Sequence, residues 1–110
     1  MKVIEINGLK PAGEEVANFQ GFKHGADVSF FLVQFSPGKG PDKHRHPYEE
    51  TVLLLEGEIE VIVDAEVRMV GSNSIVVIPA NTWHEFKARS EPSIVMVNIH
   101  PVPKMITEWA

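Results

Sequence analysis

Apolar residues fall in short runs along the chain, separated by turn-forming residues. The runs are Val3–Ile6, Val28–Phe35, Thr51–Leu55, Ile59–Val63, Ile75–Ile78, His84–Ala88 and Ile94–Ile99. They are rich in Val, Ile, Leu and Phe, and the segments between them (36–41, 56–58, 71–74, 79–82 and 90–93) carry Gly, Pro, Ser and Asn. No window holds an i, i+3, i+4, i+7 stripe over three turns. Many short strands at even spacing predict an all-β sandwich or barrel. Residues 8–26 are dominated by Gly, Pro and charge, with Val16–Phe19 a candidate short strand. In Glu58–Val61 polar and apolar residues alternate, as on a strand with one wet face. In Thr51–Leu55, Val52 and Leu54 point one way and Leu53 and Leu55 the other, which predicts cover on both faces.

Composition narrows the class. At 110 residues the chain is expected to form one domain, 1–110. Its net charge of −5 argues against nucleic acid and anionic membranes, both of which call for a basic patch. The absence of Cys excludes disulfides, thiolate nucleophiles, Cys-held zinc and iron–sulfur clusters. No apolar run approaches the length of a membrane span, and Met1–Pro11 lacks the apolar stretch of a signal peptide. A cytoplasmic protein is expected.

The chemistry is concentrated in Gly38–Glu50. On an extended chain His44, His46, Tyr48 and Glu50 have equal parity and share a face, with Pro47 a candidate bulge. Two imidazoles and a carboxylate on one face suit a divalent first-row metal. His84, which follows a Pro79-led turn, is a fourth candidate. Taken singly, a His-x-His pair reads as surface decoration; the joint pattern reads as a site.

That joint pattern resembles the cupin family. Its first motif, Gly-x5-His-x-His-x3-Glu-x6-Gly, is met at every position by Gly38, His44, His46, Glu50 and Gly57. Its second, Gly-x5-Pro-x-Gly-x2-His-x3-Asn, is met in spacing across 73–88 by Pro79 and His84. Asn73 and Asn81 stand where Gly is usual, and Ala88 stands where Asn is usual. Asn is the non-Gly residue most tolerant of positive φ, so it can hold the same turns. The likeness covers roughly residues 28–109, is similar to small single-domain cupins, and implies a double-stranded β-helix, or jelly-roll barrel. It implies one divalent transition metal (Mn, Fe, Ni, Co or Zn) on His44, His46, Glu50 and His84. Three neutral imidazoles and a carboxylate leave the centre at +1, and a six-coordinate ion keeps two open positions.

The resemblance implies either a small metal-dependent oxygenase or isomerase acting on an organic substrate in the barrel, or a ligand-binding module without catalysis. Tyr48 is the candidate acid or hydrogen-bond donor, its alternative being a packing residue at the barrel mouth. Gln34 and Asn98, polar within apolar runs, and Phe86, in step with His84, are expected to line the cavity; the two amides alternatively tie strands together. His100 reads as a surface or packing residue and His24 as solvated. Lys43 and Arg45 point away, into solvent or a subunit contact. The apolar faces of Thr51–Leu55, the Val3–Ile6 run and the Met105–Ala110 tail exceed what one barrel interior can bury. A homodimer is expected, with Leu53 or Leu55 and one terminal segment in the contact. The competing expectation is that the terminal segments fold back over the subunit's own sheet.

Overall fold

The computed structural model describes all 110 residues. Ten strands form two five-stranded antiparallel sheets. In chain order they are β1 (Val16–Phe19), β2 (Ser29–Val33), β3 (His44–Arg45), β4 (Glu50–Glu56), β5 (Ile59–Val63), β6 (Glu66–Val70), β7 (Ser74–Ile78), β8 (His84–Ala88), β9 (Val95–His100) and β10 (Glu108–Trp109). One sheet runs β1-β2-β9-β4-β7 and the other β10-β3-β8-β5-β6. No helix is long and apolar enough to cross a membrane.

The core lies between the sheets and is fed by alternate residues. Val52 and Leu54 of β4, Ile59 and Val61 of β5, Phe86 and Ala88 of β8 and Met96 of β9 are buried together, closed by Ile78 and Ile94. Truncating Leu54, which is fully buried, to Ala would cost about 2–5 kcal/mol.

The inward positions change character along three of these strands. On β4 they run Glu50, Val52, Leu54; on β8 His84, Phe86, Ala88; on β9 His100, Asn98, Met96. The register sets Val52 opposite Asn98 and Leu54 opposite Met96. The polar ends of all three strands therefore meet at one end of the barrel, above an apolar floor.

Two glycines permit this closure. A Cβ on Gly40 would come within 1.7 Å of the Phe86 carbonyl oxygen. Gly57 has φ +91°, and a Cβ there would strike Ser90 and Ile94. The Asn substitutions behave as their chemistry predicts: Asn73 and Asn81 adopt φ of 63° and 59°. In those conformations their backbone N–H groups reach the carbonyls of Leu54 (2.8 Å) and His46 (2.7 Å). Ala88 is packed in the apolar cluster, where an Asn amide would need partners of its own.

Several expectations are corrected. Val3–Ile6 forms no strand; residues 6–9 make a 3₁₀ turn, and Ile4, Ile6 and Leu9 line a groove with Phe30, Leu32 and Val97 on the outer face of the first sheet. They lie along a sheet face rather than pairing at its edge, and Ile4 and Ile6 stay exposed. The tail does pair: β10 binds β3 of the same chain, Trp109 opposite His44. The short strands β3 and β10 and the exposed edge strand β6 carry too little apolar signal to stand out in the sequence. Leu53 is half-buried and Leu55 is exposed, so the outer face of β4 is only partly covered.

Candidate metal centre

His44, His46, Glu50 and His84 converge at the polar end of the barrel, all buried, with one potential ligand atom from each lying within 4.8 Å of the others. They do not share one extended strand. His44 is on β3 in the second sheet and Glu50 opens β4 in the first, with His46 on the crossing segment that bends at Pro47. His84 lies directly opposite His44 in the β3–β8 pair.

The imidazole tautomers follow from backbone contacts. The Nδ1–H groups of His44, His46 and His84 donate to the carbonyls of Asp42 (2.7 Å), Ile106 (2.7 Å) and Thr82 (2.8 Å). Since a carbonyl only accepts, each Nδ1 carries a proton, and in the neutral ring the lone pair is on Nε2. This outer-shell arrangement is the one that orients metal-ligating histidines. The Nε2 atoms of His46 and His84 lie 3.0 and 3.4 Å from Glu50 Oε1. All three atoms are buried without a hydrogen-bond partner. The first distance falls in the hydrogen-bond range: a charged ring donates across it, whereas a neutral ring brings two acceptors together. A positive charge, either a ring proton or a bound cation, satisfies that contact, and the donor set fits a divalent metal ion.

Glu50 is also held from behind, where Asn98 Nδ2 donates to Oε2 at 2.9 Å. Burial pushes the Glu50 carboxyl up, but its contacts with His46, His84 and Asn98 outweigh that and hold it well below the usual carboxylate range. Burial lowers His44. At His84 burial also acts downward, but Glu50 and the Thr82 carbonyl prevail and raise it.

A cavity of about 190 Å³ opens beside the four residues, smaller than the roughly 300–1,000 Å³ of drug-sized ligand pockets. Phe86 and Asn98 line it, so Asn98 both faces the cavity and ties β9 to Glu50. Gln34 does not line it. Val33 and Phe35 on either side face inward, which turns Gln34 out to solvent. Tyr48 does not reach the cavity either; it stacks on His46, and its hydroxyl meets His100 Nδ1 at 2.6 Å.

Of the two readings of His100, surface or packing, the structure takes the buried one and adds a place at the cavity. It is 1% exposed, lines the cavity, and its Nε2 lies 3.8 Å from Glu50 Oε1. Parity with Asn98 on a strand facing inward was the available signal, masked by the Pro101 and Pro103 that follow. Burial depresses its pKa to about 4. His24 is half-buried and stacks on Phe19 rather than standing free. Arg45 is committed within the chain: it pairs with Glu108 at 2.8 Å and lies over the Trp83 ring.

Comparison with known proteins agrees with this geometry. Nothing among curated proteins matches the sequence significantly. Among solved structures, a Klebsiella pneumoniae protein with a double-stranded β-helix domain superposes with a TM-score of 0.77 at 15% identity, over 99% of this chain and 91% of that one. Bacillus subtilis oxalate decarboxylase, described for its Mn(II) centres, gives 0.79 at 18% identity, over 94% of this chain and 30% of that one. An oxalate oxidase gives 0.75 at 22% identity, over 92% and 57%. This chain thus spans only part of the two oxalate enzymes, and identities this low speak for the fold alone. The family model for the cupin domain matches residues 31–100, most of the chain and both motifs, and the protein belongs to that family.

Proposed function

We propose that this cupin holds one divalent transition metal ion through His44, His46, Glu50 and His84 and acts as a small mononuclear-metal enzyme on an organic substrate taken into the barrel. The reading rests on one observation: three imidazoles donate their Nδ1–H groups to backbone carbonyls and turn toward one buried carboxylate. A bound ion of this kind supplies Lewis-acid or redox chemistry at its open positions. The chain's own residues orient the ligands, hold Glu50 ionised and shape a cavity for a small substrate. Oxygenase-like and isomerase-like chemistry both suit such a site. The oxalate enzymes sharing the fold make small carboxylates the first substrates to test, and the Mn(II) centres of one make manganese the first metal.

A second reading, a binding module without turnover, is favoured by the apolar cavity wall of Val16, Phe31, Val33, Phe35 and Phe86. The two part on one experiment. Protein purified without chelator is analysed for metals, then loaded with Mn²⁺ or Fe²⁺ and assayed for oxygen uptake and substrate loss on diketones, phenols and small carboxylates. Turnover that disappears in Glu50→Ala and His84→Ala supports the enzyme. Ligand affinity that persists with Zn²⁺, with nothing consumed, supports the module.

The unit is proposed to be a homodimer of single-domain subunits. The outer face of the first sheet brings Leu53 between Ile75 and Val97, and Ile75 and Val77 are 68% and 62% exposed. The chain's own N-terminal segment borders a groove on the β2–β9 side of that face and does not line the side of Ile75 and Val77. A second copy offers the same apolar rows, which a two-fold axis pairs with themselves.

A further inference from the structure

His100 is a buried side chain with one nitrogen accounted for and one not. Its Nδ1 lies 2.6 Å from the Tyr48 hydroxyl. The Tyr48 oxygen already accepts the Ile106 N–H at 3.1 Å, and its own proton has two acceptors in reach, His100 Nδ1 and the Ile106 carbonyl at 3.3 Å. We assign it to the shorter contact, which makes Nδ1 the acceptor and puts the imidazole proton on Nε2. That Nε2 makes no hydrogen bond within the protein and lies on the cavity side, 3.8 Å from the Glu50 oxygen that faces the other histidines. Phe31 packs edge-on against the ring at 5.6 Å between centroids and limits its rotation.

We infer that His100 is a positioning residue whose Nε2–H, held in place by Tyr48, donates to one oxygen of a small monocarboxylate bound in the cavity. The inference rests on the metal reading for the other oxygen: four ligands of net charge −1 leave a divalent centre at +1, which one carboxylate neutralises. No Lys or Arg lines the cavity to meet a second negative charge, and Phe31, Val33 and Phe86 offer an apolar bed for the remainder of the molecule. A cavity of about 190 Å³ keeps that remainder to a few carbons. A hydrogen bond to a charged oxygen in a dry site is among the stronger kinds, so its loss should be easy to read.

The test uses zinc-loaded full-length protein, with isobutyrate and isobutyramide as probes in calorimetric titrations. Isobutyrate should bind at least tenfold more tightly than the neutral amide. His100→Leu should lose about tenfold in isobutyrate affinity with zinc content unchanged, a step of the size expected for one charge-assisted hydrogen bond. His100→Gln, which keeps a donor, should recover part of it. Nitrogen-15 spectra should show His100 protonated at Nε2, and Tyr48→Phe should mix the tautomers and weaken isobutyrate several-fold. A His100→Leu protein that holds zinc and binds isobutyrate undiminished overturns the inference, as does a proton on Nδ1. Should His100→Leu fail to fold or hold zinc, the Tyr48→Phe affinity and the tautomer decide. Should the wild-type chain itself hold no zinc, the metal reading fails. The carboxylate inference then falls with it, because the ion supplies the contact to the other oxygen, whereas a zinc-holding protein that binds isobutyrate independently of His100 overturns the inference alone.

Discussion

His46 Nε2 faces Glu50 Oε1 at 3.0 Å while its Nδ1–H is bound to the Ile106 carbonyl at 2.7 Å. A neutral imidazole so tethered presents a lone pair to a carboxylate, and a cation between them relieves the repulsion. His46→Ala should therefore remove most bound metal while leaving circular dichroism in the strand region unchanged, because the apolar floor around Leu54 and Ile59 carries the barrel. Undiminished metal in that variant would sink the ligand assignment. In the wild type, metal at a hundredfold excess over its dissociation constant should add about 2.7 kcal/mol of stability, and chelation should lower the melting temperature accordingly.

Glu15 ties the start of β1 to the turn at 36–39. Its carboxylate accepts the Ser36 N–H at 2.7 Å and pairs with the Lys39 ammonium. Lys39, then the Ser36 N–H, hold its carboxyl below the usual value. A depressed carboxyl stabilises the fold above its unfolded pKa of about 4.3 and loses that contribution as pH falls through the lowered folded value. Wild type should thus melt above Glu15→Gln at neutral pH, the two curves converging in acid. A difference in melting temperature that stays constant down to about pH 2 would contradict this assignment.

Asn81 occupies the left-handed region and sends its N–H to the carbonyl of the ligand His46. Asn81→Gly should leave stability within about 0.5 kcal/mol, whereas Asn81→Ala should cost about 1 kcal/mol. Urea unfolding measures both. Equal stabilities for the two variants would show that the backbone conformation there is not the constraint.

The apolar outer face of β4 and β7 gives the assembly prediction. At micromolar concentration, sedimentation should report a particle of twice the chain mass. Leu53→Lys and Ile75→Lys should shift it toward monomer, because a charge in a dry contact is desolvated without a partner. A wild-type particle of monomer mass would leave the exposed Ile75 and Val77 without that explanation.

What the sequence determined by itself was periodic or spaced. Alternation in Glu58–Val61 and the shared parity of His84, Phe86 and Ala88 mark inward residues of β5 and β8 because a strand turns every second side chain to the same face, a local property that needs no partner. The spacing of Gly38, His44, His46, Glu50 and Gly57 and the position of His84 announced the family and four residues that the structure brings together. The φ values of Asn73 and Asn81 were legible for the same local reason.

The tertiary structure decided what depends on who lies opposite whom. His44 and Glu50 belong to different sheets, and their meeting is set by the crossing at Pro47, not by a shared strand. His100 enters the cavity, and Tyr48 stands behind it, because β9 lies beside β4 in antiparallel register and brings the far end of one strand against the beginning of the other. Val3–Ile6 reads as a strand, yet it forms none and only its Ile4 and Ile6 border a groove on a sheet face; the weaker 108–109 segment pairs because β3 has an edge to offer. Hydrogen-bond partners, cavity walls and edge pairing are properties of long-range contacts, and no window of neighbouring residues contains them.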